Sequence, residues 1–82
     1  MSTSSTEQEQ PFRVYTGASF GQAIRHYRKQ TGLTQGELAR RAGVDRSYLS
    51  RLERGHETEQ LRHILAILRQ LGVRAILQHA DW

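Results

Sequence analysis

Arg46 and Arg51 have the most chemistry to offer in this sequence. A guanidinium is a planar fork of donors that fits phosphate oxygens and the acceptor pair on a guanine edge. Ser47, Tyr48 and Ser50 surround them, with Leu49 and Leu52 interleaved. At helical spacing Arg46, Ser47, Ser50 and Arg51 share one side and Leu49 and Leu52 the other, so a short helix would hide its leucines and show a cationic face. On that face Arg46 and Arg51 would read base edges, guanine O6 and N7 foremost, each bidentate pair discriminating by about 1–3 kcal/mol. Ser47 and Ser50 would make adaptable contacts to base or phosphate. Tyr48 would lie on a sugar or thymine methyl, or cover the side of the helix.

Catalysis has no comparable candidates. His26, His56, His63 and His79 form no HExxH motif and no close ligand pair, and the chain has no cysteine. They read as ordinary surface or rim residues. The glycines follow helical segments instead of clustering after strands, which leaves no phosphate loop and no nucleophile elbow. The expectation is a protein that is not an enzyme, with no metal and no cofactor.

Charge is concentrated where the arginine pair lies. Residues 13–54 carry nine bases against three acids, net +6, whereas residues 1–12 are net −2 and residues 55–82 net 0. Eleven of the twelve bases are arginine, which favours forked contacts over point charges. With 82 residues the chain has room for one small domain. The longest apolar run, Ile64 to Leu68, is far shorter than the roughly 20 residues of a bilayer span. A soluble chain without an export signal, hence a cytoplasmic one, is expected. Lacking disulfides and thiolate metal sites, so small a fold must rely on packing or on a second copy of itself.

Four helical segments position these residues, each followed closely by a glycine able to take the left-handed conformation: Gly32, Gly43, Gly55 and Gly72. The first buries Phe20, Ile24 and Tyr27 and starts either at a Ser19/Gln22 capping box or at Thr16. In the second, Thr34 and Glu37 form a capping box and Leu33 can staple to Leu38. Asp45 caps the third, where Val44 and Leu49 are spaced for the same staple, and that helix ends about Arg54. Only Gly43 and Val44 separate helix two from the Asp45 cap, so the two helices must cross steeply, as in a helix-turn-helix. The fourth, near Glu59 to Leu71, aligns Leu61, Ile64, Leu65, Leu68 and Leu71 to close the core, with Ile67 off that stripe and free for a second interface. The N-terminus of helix two, at Thr34 and Gln35, would receive a phosphate on its free N–H groups, with Arg40 and Arg41 either adding charge or simply facing solvent.

The run Leu33 to Gly55, with Gln35 leading, Leu38, small Ala39, Gly43 at the turn, Val44, Leu49, Leu52 and closing Glu53-Arg54-Gly55, resembles the helix-turn-helix of the lambda Cro and repressor (Xre) family. The likeness extends over about residues 19–73. It implies an all-α, four-helix, lambda-repressor-like DNA-binding fold in which Ala39 is small because the third helix crosses above it. It also implies an ion pair between Arg28 and Glu53. Gly36, inside helix two, weakens that helix by roughly 1 kcal/mol relative to alanine, for no reason visible in the sequence.

The ends complete the expected organisation. Residues 1–11 are polar and acidic and read as a disordered tail; residues 12–72 as the DNA-binding domain; residues 73–82 as a dimerisation strand and tail. Val73, Ala75 and Leu77 alternate as in a β-strand, and Phe12 to Tyr15 is either a strand or an anchored lead-in to the first helix. A lone strand at the end of a helical body would pair with its copy across a two-fold axis, giving a β-capped homodimer. Trp82 would anchor an interface, pack on that strand layer or hang free. This arrangement resembles the HipB-type antitoxins, which repress their own operon and bind a HipA-type kinase toxin. The expected function is therefore a dimeric repressor on a palindromic double-stranded operator and an antitoxin; the alternative is a stand-alone or phage-type regulator.

Overall fold

The computed structural model describes residues 12–80, so the acidic tail and Trp82 lie outside the described residues. The order is β1 (Phe12–Val14), α1 (Gly17–Thr31), α2 (Gln35–Ala42), α3 (Arg46–Glu53), α4 (Glu59–Leu71) and β2 (Ala75–Leu77). This is the all-α, four-helix fold with a small sheet at its ends.

Local chemistry sets the helix boundaries. α1 starts at the competing cap: Thr16 Oγ1 accepts from the Ser19 N–H at 3.2 Å, and Ser19 Oγ accepts in return from the Thr16 N–H at 3.0 Å. α2 carries the expected box, Glu37 N–H to Thr34 Oγ1 at 3.1 Å and Thr34 N–H to the Glu37 carboxylate at 2.8 Å. Hydrogen bonding to the carboxylate from the Thr34 backbone N–H first, and from the Thr34 side chain second, holds the Glu37 carboxyl below its ordinary range. Asp45 occupies the N-cap of α3, but its side chain makes no capping hydrogen bond. Thr58 caps α4 through the Leu61 N–H at 3.1 Å.

The core is built from small contacts. Val14, Ala23, Ala39, Leu49 and Leu65 are buried, and among the described residues no large side chain is fully enclosed. α1 and α3 approach closely because Gly21 presents no side chain: a Cβ there would overlap the Leu52 carbonyl oxygen. Glu57 reaches back to accept from the Gly17 N–H at 3.2 Å, tying the segment after α3 to the start of α1.

Two expectations are corrected here. β2 is not a lone strand, because it pairs antiparallel with β1 of the same chain, Phe12 opposite Leu77 and Val14 opposite Ala75. One edge of β2 is thus satisfied without a second subunit. Tyr27 fastens the pair to α1 by donating to the Leu77 carbonyl at 3.1 Å. Tyr27 is flanked by His26 at 5.0 Å and His79 at 4.9 Å, and Phe12 lies 4.8 Å from His26, so these two histidines, one half-buried and one exposed, sit at the rim as expected and join an aromatic cluster there. Nor does α4 close the core with its whole stripe. Leu65 is buried, while Ile64 is 46% and Leu71 68% exposed. Val73, which the alternation grouped with Ala75 and Leu77, is exposed too, together with Ile67 and Ile76.

Candidate nucleic-acid interface

The α2–α3 turn is made by Gly43, whose φ of 76° places it in the left-handed region that disfavours any side chain. Its N–H and that of Val44 close onto the last turn of α2, the latter reaching the Ala39 carbonyl at 3.0 Å. The chain then enters α3 at a new angle. Ala39 is buried in α2 and Leu49 in α3, as close crossing of the two helices requires.

α3 consequently shows two sides. Leu49 is buried and Leu52 half-buried, whereas Arg46, Ser47, Tyr48 and Arg51 are exposed and Ser50 is half-buried. Arg46 and Arg51 thus reach solvent from one short helix. The stem of Arg46 passes over the start of α2, its Cδ 3.9 Å from where a Gly36 Cβ would stand. That is ordinary contact, so the fold does not require glycine at position 36. Tyr48 borders a groove of about 230 Å³ with Arg51, Leu52, His56, Glu57 and Thr58. A second hollow adjoins it, where Tyr48 and Leu52 face Phe20, Leu61 and Ile64. The ring of Tyr48 therefore flanks the body of the domain on the α4 side. At the start of α2, Thr34 is exposed with its hydroxyl oxygen engaged in the cap, and Arg40 and Arg41 are exposed in the last turn.

Behind the exposed face lies a charged network. Arg28 Nε donates to Glu53 Oε2 at 2.7 Å and Arg28 Nη2 to Glu53 Oε1 at 3.0 Å, a bidentate pair joining α1 to α3. The other Arg28 terminus, Nη1, holds the Leu33 carbonyl at 2.9 Å. Gln35 Nε2 donates to Glu53 Oε1 at 3.1 Å. Burial by itself raises the Glu53 carboxyl, but hydrogen bonds from Arg28 and Gln35, with the nearby positive charges, outweigh it and leave the group below its ordinary value. The hydrogen bond to Glu53 correspondingly raises Arg28.

The sequence profile of the helix-turn-helix domain matches residues 19–79, which hold all but the first two residues of α1, then α2 to α4 and β2. The chain belongs to the helix-turn-helix family. Within it, the chain is 40% identical over 65 residues to the HTH-type transcriptional regulator SinR of Bacillus licheniformis, covering 74% of this chain and 58% of that relative. It is 40% identical over 60 residues to the uncharacterized HTH-type transcriptional regulator y4mF of Sinorhizobium fredii, covering 73% and 79%. The immunity repressor protein of Bacillus phage phi105 is 39% identical over 54 residues, covering 66% and 38%. All three carry the names of regulators or repressors and none that of an enzyme. The likeness supports the Cro/C1 branch. The chain spans little more than half the length of SinR. No solved structure matches it.

In this helix-turn-helix chain Gln35 stands at the N-terminus of α2, as the sequence predicts, and the structure in addition brings its carboxamide to Glu53. The helical stripe that puts Arg46, Ser50 and Glu53 along one line of α3 was the available signal. At Gly21 no turn or cap in the sequence signals the close approach of α3. Among the described residues no group of three or more His, Asp or Glu could hold a metal ion, and no helix is long and apolar enough to cross a membrane.

Proposed function

We propose that this chain is a DNA-binding transcriptional regulator, a repressor that reads the major groove with α3. One observation carries the reading: Arg46, Ser47 and Arg51 are exposed together on a helix whose Leu49 is buried, beside the N-terminus of α2. Arg46 and Arg51 contact base edges, Ser47 and Ser50 base or phosphate, and Tyr48 a sugar or methyl at the edge of the footprint. At the start of α2 Gln35 offers its backbone N–H to a phosphate, where the helix dipole favours an anion, and Thr34 stands at the same end with its own N–H held by Glu37. Arg51→Ala should weaken the preferred operator by about 1–3 kcal/mol while leaving nonspecific binding nearly intact. Fluorescence anisotropy with specific and scrambled duplexes checks this; equal losses on both would remove Arg51 from base readout. Affinity should also fall steeply with salt as counterions are released.

The working unit in this reading is a homodimer on a palindrome, since two recognition helices reach successive major grooves when their half-sites are about 34–36 Å apart. Ile64, Ile67, Leu71, Val73 and Ile76 leave apolar surface uncovered on α4 and β2, which supports a partner of the same kind. Leu71→Glu combined with Ile76→Lys should turn the dimer into a monomer in sedimentation equilibrium without unfolding it. An unchanged dimer mass would exclude this face. The antitoxin role, with a HipA-type kinase toxin as second partner, rests on the resemblance to HipB-type proteins alone. Similarity to SinR and to a phage immunity repressor favours the stand-alone regulator. Co-purification of a kinase-like neighbouring gene product would reverse that preference. Action in the bacterial cytoplasm follows from the same reading.

A further inference from the structure

We propose that the acidic segment around Glu7 and Glu9 seats on the outer face of the β1–β2 sheet, held by Arg13 and Arg74, and there shields part of the surface offered to a second copy. The shielding rests on the dimer reading above; the seat itself does not.

The sheet gathers cations that no described carboxylate neutralises. Arg13 stands opposite Ile76, so both side chains leave the same face, and Arg74, two residues before Ile76, falls on that face as well. All three are exposed, whereas Val14 on the other face is buried. Arg69 brings a third guanidinium from α4, donating to the Tyr15 carbonyl at 3.0 Å and sharing a shallow hollow with Tyr15, Val73 and Arg74. Among the described residues no carboxylate forms an ion pair with Arg13, Arg69 or Arg74.

The acids of the chain are engaged elsewhere. Glu37 serves its cap, Glu53 holds Arg28, Glu57 accepts from the Gly17 N–H, Glu59 stands 3.9 Å from His63, and Asp45 heads α3. Glu7, Glu9 and Asp81 remain, and only the first two form a pair in sequence. Two residues apart in an extended chain, Glu7 and Glu9 place their side chains on one side, about 7 Å from each other. Arg13 and Arg74 are diagonal neighbours across the sheet, about 7–8 Å apart, so the spacings match. Glu9 and Glu7 precede Phe12 by three and five residues. That is about 10 and 17 Å of extended chain, ample for a face that begins at Arg13. The short tether sets an effective concentration of millimolar order, at which individually weak exposed ion pairs suffice. Seated there, the segment lies beside Val73 and Ile76, two of the apolar residues left for a second copy.

The chain has no cysteine, so Ser4→Cys carries a single nitroxide on the otherwise intact protein. Paramagnetic broadening of the Arg74 and Ile76 backbone amides should be strong in about 0.05 M salt and fall severalfold in about 0.5 M, where exposed charges are screened. Glu7→Gln/Glu9→Gln should remove it, as should Arg13→Gln/Arg74→Gln, both with unchanged melting temperature. Glu7→Arg/Glu9→Arg combined with Arg13→Glu/Arg74→Glu should restore it, and Asp81→Asn should leave it intact. Broadening centred on Arg46 and Arg51 would put the segment on the reading face and overturn the proposal. So would broadening indifferent to salt and to these substitutions, or broadening confined to isotope-labelled chains mixed with nitroxide-labelled ones, which would seat the segment on a second copy. In sedimentation equilibrium Glu7→Gln/Glu9→Gln should tighten the dimer severalfold; an unchanged dimer constant overturns the shielding. A wild-type chain that stays monomeric fails the dimer reading, and the broadening still decides the seat.

Discussion

Replacing Gly21 by alanine should be the most damaging single-methyl change in the chain, costing about 3 kcal/mol or more and lowering the melting temperature by over about 12 °C. The added Cβ would overlap the Leu52 carbonyl oxygen, and the Leu52 carbonyl carbon lies only 3.1 Å from the same point. Backbone cannot swing aside as a flexible side chain can, so α1 and α3 must separate. Their separation also pulls Arg28 away from Glu53, adding a second loss to the first. Gly36→Ala is the matched control, since its Cβ meets only ordinary contacts at 3.9 Å. It should be neutral or stabilising by up to about 1 kcal/mol. Urea denaturation of the two variants checks both values; a Gly21→Ala protein as stable as wild type would mean that the α1–α3 contact is looser than described.

Glu53→Ala should cost about 3–5 kcal/mol, because it strands the Arg28 guanidinium in a half-buried site and leaves the Gln35 amide without its acceptor. Arg28→Met/Glu53→Leu should recover most of that loss, since well-packed apolar side chains replace a buried ion pair at little net cost. The pH profile supplies an independent check. The folded Glu53 carboxyl lies below its unfolded value of about 4.3. Its contribution is therefore fully present above that value and is lost as pH falls through the lower, folded one. Glu37 titrates with the same sign. The Glu53 share is then the difference in acid sensitivity between wild type and the double variant, which should unfold over a narrower stability range below about pH 4. Parallel acid-unfolding curves for the two proteins would show that the pair contributes nothing.

Much of α3 and of the turn before it is legible in residue order, because the determinants act within one turn of chain. Thr34 and Glu37 are three residues apart and cap each other; Gly43 supplies the one conformation that reverses the path; Leu49 and Leu52 separate the hidden side of α3 from the exposed one. The Arg28–Glu53 pair is different. It entered through resemblance to a family, since nothing in a separation of 25 residues marks two charges as neighbours.

What the sequence by itself determined is the set of helices, the Thr34–Glu37 cap, the turn between α2 and α3 and the outward face of Arg46 and Arg51. Each of these depends on interactions three or four residues long, which residue type and spacing express directly. The tertiary structure alone decided that β2 pairs with β1 more than sixty residues away, that Ile64 and Leu71 of the apolar stripe of α4 stay exposed, that Gly21 admits the Leu52 carbonyl, and that Gln35 turns toward Glu53. These depend on how rigid elements meet in space, where one close backbone contact or one buried carboxylate fixes geometry that no local pattern encodes.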